Sequence, residues 1–588
     1  MKIIQRILIF LIVSLLSYSC ANRGIGPQGG KKDEMPPRML RSIPQNGVTD
    51  FQGNHVEMEF DELFSVRQAS ENVIFSPPQI NQPTVTVAGR MLRVTFNDEM
   101  LPNTTYTIDF GNAIEDNNEH NQLQNFIFSF STGVSIDSLQ IAGTVLNAAD
   151  LNPAANVLVG IHSNPADSAF IKTPFLRVSK TDETGNFRLT NMPEGKYRVF
   201  GLRDKNRSFT FDNPGEDIAW NDSLVTPSFT IVEKFDTLWK DSLTIDTISH
   251  RKVTEFKPSN IILRLFNENF QRRFLAKSER TDKTVRLFFN APQKELPEIS
   301  ALNFDLNSTI LQASAKNDTL TFWLKDSLTM KKDTLTWQIT YPRTLASGKD
   351  SIITDTLKLA MKSRKVDAKE EIPPLRFKSN MAANFPANTN VILTFEEPVL
   401  SLDSSAVCLF QKKDTLWIET PAALKKTGEL LRYQLNATLE PGESYKLQLD
   451  SAAVKSIFGN ATAKYENVFK VRGLEEYAVL IVTLPPVENA VLQLLNASEA
   501  VLKEQKAGEE ETVIEFIEPG TYYLRLFIDE NRNGIWDTGN FERQQQPETV
   551  YYFHDAILLR ANWDVEVEWT EFKPLTEQKP ETIRKVIK

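Results

Sequence analysis

Apolar and polar residues alternate along most of this chain in short runs, as in HVEMEF (55–60), RVTF (93–96), TVRLFFN (284–290) and TLTWQITY (334–341). A period of two marks half-buried β-strands, and the Pro, Gly and Asn turns between the runs fall at the spacing of antiparallel sandwiches. The pattern therefore predicts an all-β fold of tandem β-sandwiches. At 588 residues the chain is too long for one core, since domains usually hold about 100–150 residues.

Internal repeats divide it. EPGTYYLRLFIDENRNGIWD (518–537) repeats the plan of PEGKYRVFGLRDKNRSFTFD (193–212): a Pro/Glu-Gly turn, an alternating strand, then an Asp-x-Asn loop closed by an aromatic and an Asp. NVILTFEEP (390–398) mirrors 55–63, and LEPGESYKLQL (439–449) mirrors 101–110. Five modules are predicted, at 38–133, 137–233, 258–364, 373–472 and 476–572. A charged tail, 573–588, is predicted to be disordered.

The first module ends in LPNTTYTID (101–109) and FIFSFSTG (126–133), which closely resembles the bacterial Ig-like domain first named from an S-layer protein. That resemblance implies a spacer or stalk domain in which Tyr106 packs inward, and it extends to 258–364 and 373–472. The second module, with IAGTV (141–145), TDETGNFRL (181–189) and PEGKY (193–197), resembles the carboxypeptidase regulatory-like, or prealbumin-like, sandwich. The fifth repeats that type, and the resemblance implies no catalytic residues.

Lys2 and Arg6 precede a ten-residue stretch (7–16) that is apolar except for Ser14, and Ser17-Tyr18-Ser19 precedes Cys20. The stretch resembles a bacterial lipoprotein signal peptide, 1–19, with Cys20 as the lipidated residue and 20–37 as a tether. Cys20 and Cys408 are the only cysteines, too few for a disulfide framework. Cys408 lies in an apolar run and is predicted to be a buried strand residue.

Chemistry concentrates in the fifth module's loop. Asp529, Asn531 and Asn533 place oxygens at alternate positions, Gly534 permits a sharp turn, the Ile535 carbonyl falls at the seventh position and Asp537 at the ninth. A chain wrapping Ca2+ needs this order of donors, and the loop resembles the calcium loops of B repeats in surface adhesins. The twelfth position is Asn540, with Glu542 two residues later, so affinity is expected in the range of roughly 10⁻⁴–10⁻³ M. A plain Asn-Gly hairpin turn is the other reading. The earlier copy has Asp204, Asn206, Ser208 and Asp212, with Phe209 in the glycine's place. The tripeptide Asp-Ser/Thr-aliphatic occurs thirteen times and resembles the acceptor of a periplasmic O-glycosylation system; turns that open Thr-Leu strands are the other reading.

The net charge of −10 argues against a nucleic-acid partner. Five scattered histidines show no zinc spacing, and no nucleophile elbow or phosphate loop occurs. The adjacent acids Glu396-Glu397 point to opposite strand faces and are read as solvated edges. Of eight tryptophans, Trp563 and Trp569 are evenly spaced and so form the candidate sugar-stacking pair on one strand face. The expected function is a non-enzymatic outer-membrane lipoprotein, a multi-domain stalk or adhesion scaffold for an envelope partner. The alternative is glycan capture for polysaccharide uptake.

Overall fold

The computed structural model describes residues 33–239, 245–268, 272–345, 350–361 and 373–585. The predicted signal peptide, Cys20 and most of the tether lie outside these residues. Regular structure is almost all strand, and the strands form tandem sandwiches.

In the first unit a four-stranded sheet (Met39–Ile43, His55–Phe60, Met91–Thr95, Thr84–Ala88) faces a three-stranded one (Phe126–Ser131, Thr105–Gly111, Ile74–Ser76). Val56, Met58 and Phe60 from one sheet meet Ile108, Phe110, Phe128 and Phe130 from the other, all fully buried. Tyr106 stacks on Phe130 at 5.4 Å, and its OH accepts the Leu101 N–H at 2.7 Å, pinning the Pro-Asn turn to the strand it launches. The fourth unit repeats the device: Tyr445 accepts the Glu440 N–H at 2.8 Å and stacks on Phe469. The third unit pairs a four-stranded with a three-stranded sheet around Trp337, which is fully buried.

The second and fifth units share another plan. Leu139–Asn147 lies between Asn186–Met192, antiparallel, and Ile261–Asn267, parallel. Ala478–Thr483 likewise lies between Glu511–Ile517, antiparallel, and Asp564–Glu568, parallel. In both, a tyrosine OH donates to the carbonyl four residues earlier, Tyr197 to Pro193 at 3.0 Å and Tyr522 to Glu518 at 2.7 Å.

Two sequence-based boundaries need correction. Ile261–Asn267, expected to open the third module, is the closing strand of the second unit and pairs with Asp217–Trp220 as well as with Leu139–Asn147. The second unit thus runs past residue 233. A two-stranded ribbon, Ser228–Trp239 with Ile245–Lys257, loops out of it before the final strand. The tail is ordered as far as residue 585: Leu575–Gln578 is helical, and Gln578, Lys579 and Ile583 are buried. The Lys579 ammonium donates to the Asp150 carbonyl at 2.8 Å and pairs with Glu499. Gln578 accepts the Tyr552 N–H at 3.0 Å. Charge alone suggested solvation, but these groups find backbone partners on two units.

The units touch in a circuit. Third and fourth meet through Lys283–Glu397, 2.7 Å, and Trp323 against Phe458. Glu397, read as a solvated edge, is therefore a junction residue, and Asn460 also donates to it. Fourth and fifth meet through Arg472–Glu518 and through the Tyr477 OH, which accepts the Ala387 N–H at 3.1 Å. The fifth then packs back on the second. The chain closes on itself instead of ending as a linear string.

Candidate functional site

The strand Gly520–Ile528 delivers the chain directly into the predicted loop. Asp529 is buried, and its carboxylate accepts the N–H of Asn533 at 3.0 Å and of Gly534 at 2.8 Å. Gly534 sits at φ +78°, where a side chain would be strained. The Asn531 oxygen accepts the Asn533 N–H at 3.0 Å, and the Asn533 oxygen accepts the Ile535 N–H at 2.7 Å. Both asparagine amides donate to Asp537, at 2.5 and 2.6 Å. Asp529, Asn531, Asn533, Ile535 and Asp537 are thereby gathered into one loop of Asx turns.

A sixth residue, absent from the sequence reading, stands behind it. Glu548 is buried, and its carboxylate accepts the N–H groups of Glu530 and Asp537, each at 2.9 Å. Burial raises its pKa, and the nearby Asp537 and Asp529 charges raise it further. The second unit repeats the arrangement with Glu216, fully buried, which accepts the Lys205 N–H at 3.0 Å while its other oxygen has no partner among the described residues. Burial again raises the pKa, helped by Asp204 and Asp212. Asp204 caps its own loop through the N–H groups of Asn206 at 3.1 Å and Phe209 at 2.9 Å.

As a cation site the fifth unit's loop supplies two carboxylates, two amides and one carbonyl, an all-oxygen set suited to a hard ion. Among the described residues no group of three or more His, Cys, Asp or Glu side chains is placed to hold a metal. The set fits calcium in chemistry, with few charges.

Beyond the loop the chain plugs into the second unit. Trp536 donates its indole N–H to the Glu548 carbonyl at 3.0 Å. Thr538 donates to the Asn267 carbonyl at 2.6 Å, and the Phe541 N–H reaches Glu268 at 2.5 Å. The Phe541 ring meets Phe170 at 5.2 Å and Trp220 at 5.3 Å inside a buried aromatic cluster. Gly539 makes this possible, because a Cβ there would lie 2.5 Å from the Phe266 ring and 2.7 Å from the Gln545 carbonyl. A second cluster joins Leu146 and Leu151 to Tyr523, Phe527, Tyr552 and Ile583.

The tryptophan pair does not form a platform. Trp563 is 53% exposed, under the Arg560 guanidinium, whereas Trp569 is 3% exposed and packs on Phe553 and Phe572 in the core. The two flank the strand Asp564–Glu568 instead of lying within it, so even spacing does not put them on one face. Cys408 is partly exposed, not buried, and burial still raises its thiol pKa. His162 is a core residue between Phe175 and Phe200, its pKa lowered to about 4 by burial and by Arg198. Several hydroxyls of the Asp-Ser/Thr-aliphatic tripeptides, among them Ser138, Ser168, Thr356 and Thr415, are exposed. Asp326 of another caps the helix Ser327–Lys331, a structural use of the same motif.

Residues 33–132 match the family model of the bacterial Ig-like domain. The first unit is thus Ig-like by sequence as well as by its two facing sheets. No curated protein matches the chain. Among solved structures, the S-layer protein rSbsC is similar at 10% identity over 71% of this chain, with a TM-score of 0.15. This chain spans 64% of that protein's length. BcpA, the major pilin subunit of Bacillus cereus, is similar at 11% identity, covering 74% of this chain and 99% of the pilin, with a TM-score of 0.13. The part of native alpha-2-macroglobulin from Escherichia coli spanning domains MG0-NIE-MG1 is similar at 11% identity over 32% of this chain and 96% of that one, with a TM-score of 0.16.

Proposed function

We propose that this protein is a non-catalytic scaffold of the bacterial cell envelope, held to the outer membrane through a lipid on Cys20. The observation that carries the reading is the interface of the second and fifth units. Buried aromatic packing around Phe541 joins modules far apart in sequence, and a rigid frame with fixed attachment points is what such closure provides. The second and fifth units are prealbumin-like in this reading, the others Ig-like. Glycan capture by Trp563 and Trp569 loses its geometric basis, since one of the two is core. In the same reading, calcium held by the loop from Asp529 to Asp537 stiffens the approach to Phe541. The exposed Ser and Thr of the Asp-Ser/Thr-aliphatic motifs serve as O-glycan acceptors.

Protease shaving of intact cells, detected with an antibody to the fifth unit, tests the placement. Cell association that is lost on Cys20→Ala supports the anchor, and cleavage from outside sets the scaffold on the surface. A Cys20→Ala protein that stays membrane-bound contradicts the reading.

A further inference from the structure

Between the first and second units lies a cleft of about 750 Å³, within the size range of small-ligand sites, which favour domain junctions. Its walls combine three kinds of group. Amides come from both sides, among them Asn72, Gln82, Asn156 and Asn206. Apolar faces come from Ile80, 78% exposed, and from Phe209. The cations are Lys180, Lys205 and Arg207, against the carboxylates Glu71 and Asp204.

The charges are unevenly satisfied. Asp204 is saturated by the N–H groups of its own loop, and Lys205 donates to the Gly215 carbonyl at 2.5 Å. Lys180 has only the Glu71 carbonyl, at 3.0 Å, and Arg207 only the Gln82 side-chain oxygen, at 2.8 Å, as partners found among the described residues. Burial lowers the Lys180 pKa, Glu71 opposes that shift, and the Arg207 charge adds to it. Lys180, with the Glu71 carboxylate nearby but not bonded to it, and Arg207, bonded to an amide oxygen, thus face one cleft of a protein whose net charge is −10. In the cleft wall the Gln79 side chain, 8% exposed, donates to the Pro77 carbonyl at 3.1 Å, while its oxygen has no partner among the described residues.

A comparison of the two loop copies shows what the second unit's copy has gained. Phe209, at φ +56°, stands where the fifth unit has Gly534 at φ +78°. A bulky residue in the left-handed region is strained. Its ring also packs on the Phe170 cluster and lines the cleft.

We propose that this cleft binds an acidic saccharide of the uronate class, with Arg207 and Lys180 taking its carboxylate group. The amides, each both donor and acceptor, match sugar hydroxyls, and Phe209 and Ile80 offer the apolar surface on which a sugar ring rests. A guanidinium suits such anions because its N–H groups form a planar fork. This goes beyond the scaffold reading and does not depend on it, since the circuit of units closes elsewhere.

The test is calorimetric titration of the intact soluble protein, carried as Cys20→Ala, with a trigalacturonate, a neutral trisaccharide and inorganic sulfate. The uronate trimer is expected to bind in the millimolar range or tighter, and at least about tenfold more tightly than either of the others. Arg207→Ala, at an exposed position, should weaken it by about tenfold or more, and Lys180→Met similarly, with melting temperatures recorded for both. Trp563→Ala should leave it unchanged. Absence of uronate binding, equal binding of sulfate alone, or full affinity in a folded Arg207→Ala protein would each overturn the proposal.

Discussion

Four tyrosines show how single residues hold these sandwiches. Tyr106 and Tyr445 accept a backbone N–H, whereas Tyr197 and Tyr522 donate to a carbonyl, and all four are buried. Tyr106→Phe is expected to destabilise the first unit by about 1 kcal/mol, the net worth of one hydrogen bond, as read by denaturant unfolding. The buried acids act in the opposite sense. Glu216 has a folded-state pKa raised above 4.5. Its contribution is most favourable below that value and is lost as pH rises through the folded pKa. Glu216→Gln should therefore melt several degrees above the wild type at neutral pH and together with it near about pH 4. An unchanged melting temperature at neutral pH would contradict the assigned environment. Tyr106 was legible in the sequence because its turn and strand are local. Glu216 and Glu548 were not, because the number of residues separating them from Asp204 and Asp529 differs between the two copies, and main-chain N–H partners leave no trace in side-chain spacing.

At the level of elements, alternation located the strands, and its limits explain the misplaced boundary. Nothing in the local pattern of Ile261–Asn267 states that it pairs in parallel with Leu139–Asn147, across an inserted ribbon. The duplicate makes it plain afterwards, since Asp564–Glu568 holds the same place in the fifth unit. Spacing misled at Trp563 and Trp569 for a related reason: the strand between them is short, and period-two logic fails outside it. The loop from Asp529 to Asp537 was legible as a set of oxygens, but its continuation into the aromatic plug was not. If calcium stiffens that loop, Ca2+ at millimolar concentration should raise the melting temperature over a chelated sample. Asp537→Ala, which removes the carboxylate both asparagines bind, should abolish the rise. Equal melting with and without Ca2+ would leave the loop a plain turn.

At the scale of the whole molecule, closure of the fifth unit on the second holds the frame together. Phe541→Ala deletes a buried ring from the junction of the second and fifth units and is expected to cost about 3 kcal/mol there, seen as early unfolding of those units by hydrogen exchange. Removing residues 573–588 withdraws Ile583 from the cluster with Tyr552 and Leu495, and should cost at least about 2 kcal/mol. A disordered tail would be silent in that experiment. None of this was legible from charge and composition, because two of the tail's partners, Asp150 and Asn152, lie hundreds of residues away. The most direct test is a distance across the junction. Arg198 of the second unit reaches Gln544 of the fifth at 3.3 Å. With Cys20→Ala and Cys408→Ser as background, Arg198→Cys and Gln544→Cys should be joined within one molecule by a short bis-maleimide, identified by mass spectrometry. Complete labelling of both cysteines with no intramolecular product would mean that the fifth unit stands apart from the second, and the closed scaffold would be wrong.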